Sequence, residues 1–213
     1  MTRLIVVRHG YSESNASGRY TGQMDVPLHE IGRAQATLVA KYLAAHEKID
    51  AVYASDLSRA METAKPTAAH FGLTVTPVPA LRELSMGIWE GMLYEDVCKA
   101  YGDVLKKREV DYTYPCPGGE SFADLYARVR DAVLRLAEQN EGKCILLVSH
   151  GGAIRTLRCM AAGDEPKNAQ NYPNMPNGAI SVYRYEGGAL TALAEEITAH
   201  LTDSDAAAKP ALY

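Results

Sequence analysis

Cysteine is scarce in this 213-residue chain. Cys98, Cys116, Cys144 and Cys159 are widely spaced and form no CxxC pair, so neither a structural zinc site nor a disulfide framework is indicated. Four reduced thiols, mostly buried, are expected. Long hydrophobic runs are also missing. The longest, Ile5-Val6-Val7 and Ile145-Leu146-Leu147-Val148, fall far short of the about 18 residues that a membrane span needs, so no membrane partner is expected. After Met1-Thr2-Arg3 the apolar stretch is too brief for a secretory signal, and a cytoplasmic location is the expectation. Positive charge is in deficit, with 22 Lys and Arg against 26 Asp and Glu and a net charge of -4. That balance argues against a nucleic-acid partner held by bulk charge, and leaves room for a local basic pocket. No HxH, HExxH or acidic-run spacing supplies a ligand set, so no metal and no cofactor are expected.

What is present is ordinary globular material, 47% hydrophobic and 23% charged, in a length that suits one elaborated domain better than two. Leu4-Ile5-Val6-Val7 reads as a buried parallel strand ending on Arg8-His9-Gly10, the end at which open α/β sheets place ligands. Residues 11–29 read as a long loop. A helix is predicted from Glu30 to Ala45, opened by a poor N-cap, His29, then a strand at Ala51–Ala54. Residues 56–71 read as a helix kinked at Pro66, and Thr74-Val75-Thr76 as a short strand. A short helix is predicted at Leu93–Tyr101 and loop at Asp111–Gly119. Ser121 and Asp124 form a capping-box pattern ahead of a helix over 121–139. Cys144–Ser149 reads as a second buried strand, Ala153–Ala162 as a helix, and Ala179–Tyr185 with Leu190–Ile197 as a hairpin turning on Glu186-Gly187-Gly188. The order predicts an α/β fold, a three-layer α/β/α sandwich around a mostly parallel sheet. Residues 1–202 are expected to form one domain with a lid excursion at about 93–119, and 203–213 a mobile tail.

Two strand ends thus carry a histidine beside glycine, Arg8-His9-Gly10 and Ser149-His150-Gly151, and in a parallel sheet two such ends can meet at one edge. Histidine can serve as base, metal ligand or nucleophile. The neighbouring Arg8 disfavours a dication and suits an oxyanion, which its planar fork can pair bidentately. Arg59 falls in the first turn of the helix opened by Ser55-Asp56-Leu57-Ser58, where backbone N–H groups add to the positive potential. These residues sketch a phosphate clamp.

Arg8-His9-Gly10, Asn15, Ser55-Asp56-Leu57-Ser58-Arg59-Ala60 with Thr63-Ala64, Glu83, and Ser149-His150-Gly151-Gly152 together resemble the histidine phosphatase superfamily, which also contains cofactor-dependent phosphoglycerate mutase. The resemblance runs from Leu4 to Leu201. It implies a phosphoglycerate mutase-like fold in which His9 attacks phosphorus to give a phosphohistidine, while Arg8, Arg59 and His150 hold the phosphoryl oxygens and Asn15 supports them. Gly151, Ser12 and the Thr21-Gly22 pair are similar to the family's phosphate- and substrate-binding loops. Glu83 is implied as general acid and then base, with Glu90 as a competing carboxylate that more naturally braces the loop. Such a clamp suits phosphoryl transfer, which needs positioning and charge compensation, and nearby cations favour a neutral, nucleophilic His9.

The context of Glu83 separates the branches. Glu83-Leu84-Ser85-Met86-Gly87-Ile88-Trp89-Glu90-Gly91 is similar to the phosphatase pattern of Glu followed by Gly-x-Trp-Glu-Gly. Mutases carry an Arg directly after that Glu and a Tyr three after it, where this chain has Leu84 and Met86. The implied activity is a metal-independent phosphomonoesterase acting on a small phosphorylated metabolite, in a monomer or homodimer. The alternatives are a mutase-type isomerase and a non-catalytic phospholigand-binding module, against which intact His9 and Glu83 argue. Tyr11 departs from the Glu common after Arg-His-Gly, and His29 from a common Ser or Thr. Trp89 is expected to be a packing anchor. Lys106-Lys107-Arg108 and Tyr101, Tyr112 and Tyr114 lie where the family varies its lid, and these bases could meet a second acidic group on the substrate.

Overall fold

The computed structural model describes residues 1–201 apart from residue 112. Its strands are β1 (Thr2–Arg8), β2 (Ala51–Ala54), β3 (Val75–Pro77), β4 (Cys144–Ser149), β5 (Ile180–Glu186) and β6 (Ala189–Ile197). The helices are α1 (Glu13–Ser17), α2 (Glu30–His46), α3 (Ser58–His70), α4 (Tyr94–Val110), α5 (Phe122–Gln139) and α6 (Gly151–Ala162). One six-stranded sheet runs β3-β2-β4-β1-β5-β6. The strands β3, β2, β4 and β1 are parallel, and β5 and β6 add an antiparallel edge.

Two apolar layers arise from the two faces of β1. Leu4 and Val6 face Phe122, Leu125 and Val129 of α5 and Ile154 and Leu157 of α6. Ile5 and Val7 face Val39 and Leu43 of α2 and Ala60 and Ala64 of α3. A strand buried on both faces reads as a continuous apolar run rather than an alternation, and that is how Leu4–Val7 reads. The expected three-layer sandwich with a mostly parallel sheet is present.

The register does the positioning. Arg8 of β1 lies opposite Ser149 of β4, so His9 and His150 leave the sheet side by side. The N–H of Ser55, after β2, donates to Val148 O at 2.9 Å, which brings the start of α3 to the same edge. The hairpin turns on Gly187 and Gly188, both at positive φ (58° and 84°), as a two-residue turn between twisted strands requires.

Several expectations need correction. The 11–29 loop contains α1, which buries none of its residues and so leaves no apolar period to read. His29 caps α2 after all: its Nδ1 accepts from the N–H of Ile31 at 3.3 Å. The third strand begins one residue later than predicted. The helix predicted at Leu93–Tyr101 continues to Val110 across a kink at Tyr101 (φ -132°), and the kink breaks the period at the predicted end. Of the thiols, Cys116 and Cys159 are buried and Cys98 and Cys144 only partly so. Trp89 is 1% exposed and packs with Tyr20, Val97 and Cys116, as a packing anchor does. The tail 203–213 and Tyr112 lie outside the described residues.

Candidate active site

His9 and His150 are 5% and 0% exposed, with ring centroids 5.0 Å apart and planes at 58°. Their partners fix their tautomers. His9 Nδ1 lies 2.7 Å from Gly10 O, and a carbonyl only accepts, so Nδ1 carries the proton and Nε2 keeps its lone pair. His150 Nδ1 accepts from Arg59 Nε at 3.2 Å, so the proton of neutral His150 is on Nε2, a buried atom with no hydrogen-bond partner in the structure. Burial, and then the cations Arg59 and Arg8, hold the His9 imidazole well below its ordinary range, and His150 is lowered by burial and the same neighbourhood. The pair is therefore one lone pair and one N–H donor, both neutral.

The guanidinium groups are buried beside them. Arg8 donates through Nη1 to Met175 O, and its buried Nε has no partner. Arg59 donates to Gly22 O at 2.9 Å and Met24 O at 2.8 Å as well as to His150, which seats the 22–24 loop over the site. It spends one N–H of each nitrogen on these contacts and keeps the second on Nη1 and Nη2. Burial pushes both guanidinium groups down to about 10, opposed by Glu83, which still leaves them cationic at neutral pH. Arg155, early in α6, lowers Arg8 further; it is a cation that the motifs did not single out.

Glu83 reaches the N-terminal turn of α6. Its carboxylate accepts from Gly152 N at 3.1 Å through each oxygen and from Leu84 N at 2.8 Å, at the positive end of the helix. A Cβ on Gly152 would stand 2.4 Å from Glu83 Oε1, so this contact requires glycine. Glu90 instead accepts from Gln23 N and Met86 N at 3.0 Å each, which ties the 21–24 loop to the 83–91 segment. Gly22, at φ +50°, would put a Cβ 2.2 Å from Glu90 Oε1. Leu84 is 3% exposed, and Met86 packs its sulfur 3.5 Å from Cys116 Sγ, so both belong to the packing.

The remaining sequence candidates divide. Asn15 Oδ1 accepts from Ser12 N at 3.0 Å and Ser12 Oγ at 2.8 Å, so the fully buried Ser12 serves the start of α1. Thr21 Oγ1 turns back to Arg19 O at 3.4 Å. Gly151 begins α6, where a Cβ would meet Asn174 Oδ1 at 2.8 Å. Lys107 and Arg108, bases that could meet a second anion, each lie against an aromatic ring. Lys107 Nζ lies over the Tyr114 ring at 5.6 Å, and Arg108 lies over Trp89 at 5.8 Å while donating to Tyr114 O at 2.6 Å. Charge over a ring face is an attraction in its own right. Sequence reasoning missed Arg128, which donates to Glu83 O at 2.7 Å and pairs with Glu120, and Asn177, whose Nδ2 donates to His9 O at 2.9 Å. Asn177-Gly178 reads only as a turn. Among the described residues, no group of three or more His, Cys, Asp or Glu could hold a metal ion, and no helix is long and apolar enough to cross a membrane.

The model of the histidine phosphatase superfamily (branch 1) matches residues 4–198. The chain belongs to this superfamily. Among the relatives of this histidine phosphatase superfamily member, phosphoglycerate mutase-like protein 4 of Arabidopsis thaliana is 36% identical over 87% of the chain and 80% of its own length. Phosphoserine phosphatase 1 of Hydrogenobacter thermophilus is 33% identical, covering 94% of this chain and 95% of that one. The solved structure of mycobacterial glucosyl-3-phosphoglycerate phosphatase in complex with VO3 aligns with a TM-score of 0.85 at 28% identity, over 92% of this chain and 99% of that one.

Proposed function

We propose that this histidine phosphatase superfamily member is a metal-independent phosphomonoesterase that hydrolyses a small phosphorylated metabolite through a phosphohistidine. The observation that carries the reading is how the two rings are held, His9 Nδ1 at Gly10 O and His150 Nδ1 at Arg59 Nε, side by side, from which an unprotonated His9 Nε2 beside a protonated His150 Nε2 follows. His9 Nε2 attacks phosphorus as the bond to the leaving oxygen breaks. Arg8 Nε, the spare N–H groups of Arg59 and His150 Nε2–H compensate charge on the phosphoryl oxygens, with Asn15 and Gly151 supporting the pocket. Glu83 gives a proton to the leaving oxygen and then takes one from water, whose oxygen displaces His9 and releases phosphate. Ser12, Thr21 and Gly22 act by shaping the loops around the pocket.

Phosphatase chemistry is favoured over the mutase alternative because Leu84 and Met86 are taken up in packing and offer no polar contact to a phosphoglycerate. Phosphoserine and glucosyl-3-phosphoglycerate, named for two relatives, set the class to be screened. A cytoplasmic location accords with four unpaired cysteines.

The test is phosphate release from p-nitrophenyl phosphate and alkyl phosphates in excess EDTA. Release in EDTA supports the metal-free reading, and loss of release on adding EDTA sinks it. Glu83→Gln is expected to lower kcat/KM by about a hundredfold for alkyl phosphates and by less than about tenfold for p-nitrophenyl phosphate, whose leaving group needs no proton. Equal losses for the two classes would remove Glu83 from the acid role.

A further inference from the structure

Asn177 lies outside every motif of the site, yet its side-chain amide is built into it. It is 5% exposed. Nδ2 donates to His9 O at 2.9 Å and approaches Gly10 O and Asn15 Oδ1 at 3.4 Å each. Oδ1 is buried without a partner. The amide orientation is fixed by chemistry: turned over, Oδ1 would face three acceptor oxygens. A buried acceptor left unpaired costs about 1–3 kcal/mol, so the site keeps this amide for its NH2 group alone.

Gly10 O is also the acceptor that holds the proton on His9 Nδ1. The His9–Gly10 peptide is gripped from both sides, by Asn177 at its carbonyl and by Thr63 at its N–H, where Gly10 N–H donates to Thr63 Oγ1 at 3.0 Å, and Thr63 Oγ1 donates to Arg59 O at 2.7 Å. The next residue, Gly178, donates its N–H to Arg8 O at 3.1 Å and accepts from His200 Nε2 at 2.9 Å. The 177–178 turn therefore fastens the backbone of Arg8, His9 and Gly10 at the mouth of the sheet.

We propose that Asn177 is a positioning residue for His9: its amide bonds the His9 carbonyl and borders the Gly10 carbonyl, holding in place the backbone that keeps the ring proton on Nδ1 and the lone pair of Nε2 toward phosphorus. The proposal rests on the phosphatase reading and gives it a residue that acts through another. Asn177 touches no reacting atom. Asn177→Ala removes the donor. Asn177→Asp keeps the shape and sets a carboxylate against three acceptors, so the expected order of kcat is wild type, then Ala, then Asp, with losses of about tenfold to a hundredfold. KM for p-nitrophenyl phosphate is expected to stay within about threefold, because the donors to the phosphoryl oxygens are untouched.

The deciding readout is the ¹⁵N spectrum of the His9 ring in full-length protein. Wild type is expected to show a single tautomer protonated on Nδ1, and both variants a mixture. A purely structural Asn177 would lower the unfolding temperature and leave that tautomer intact, which overturns the proposal, as does a kcat for Asp at or above that for Ala. If neither variant folds, wild type alone decides, since an Nε2-protonated His9 there is fatal to it. A wild type that releases no phosphate while its tautomer responds to Asn177 counts against the phosphatase reading and supports the positioning role.

Discussion

Replacing His9 with alanine is expected to lower phosphate release from p-nitrophenyl phosphate by at least about a thousandfold, the scale on which covalent nucleophiles are lost. The second histidine of the site cannot take over its part. The neighbouring imidazole of His150 has its Nδ1 occupied by Arg59 and its proton on Nε2, so it offers no lone pair to phosphorus. Phosphoenzyme trapped by rapid quenching should disappear with the activity, because the bond that would hold the phosphoryl group is gone. Binding should survive better than turnover, since Arg8, Arg59 and His150 remain. His9→Ala protein that still turns over and still traps phosphate would assign the nucleophile to another residue and overturn the reading.

Arg59→Lys is expected to be nearly as damaging, though it conserves charge. Arg59 is 2% exposed and reaches His150 Nδ1, Gly22 O and Met24 O at once. A lysine ammonium is a point donor that cannot span these directions. The loss leaves the buried Gly22 carbonyl unpaired at about 1–3 kcal/mol, frees the 22–24 loop, and releases the restraint that puts the His150 proton on Nε2. kcat/KM is expected to fall by about a hundredfold to a thousandfold, the scale of losing an oxyanion donor, together with a lower unfolding temperature. A lysine variant with close to wild-type kcat/KM would show that Arg59 contributes only net charge.

Much of this site is legible in the sequence because its parts are strand ends and helix starts. Leu4–Val7 and Ile145–Val148 announce buried strands, and the residues just after each strand must emerge at the same edge of a parallel sheet. The helix after Ser121 is equally plain, since Ser121 Oγ accepts from Asp124 N and Asp124 accepts in return ahead of an apolar stripe. What escapes has no local signature. The helix at Glu13–Ser17 buries nothing, His29 caps with a ring nitrogen instead of a hydroxyl, and α4 is kinked at Tyr101. Asn177 meets His9 across 168 positions, a distance that no spacing rule covers. The basic run at 106–108 is legible only as charge, and its contacts, Arg108 over Trp89 and donating to Tyr114 O, are long-range or loop contacts that spacing does not give.

The unpartnered Arg8 Nε and His150 Nε2 also bear on stability. The folded chain holds desolvated donors that the unfolded chain would give to water, so an oxyanion reaching them binds the native state alone. Such a ligand at a hundred times its dissociation constant adds about 2.7 kcal/mol to stability. Inorganic phosphate, the product of phosphomonoester hydrolysis, is expected to be that ligand, and a rise in unfolding temperature with added phosphate checks it. Product inhibition and protection against heat are then two readings of a single equilibrium, and an enzyme slowed by accumulated phosphate is also one that resists unfolding.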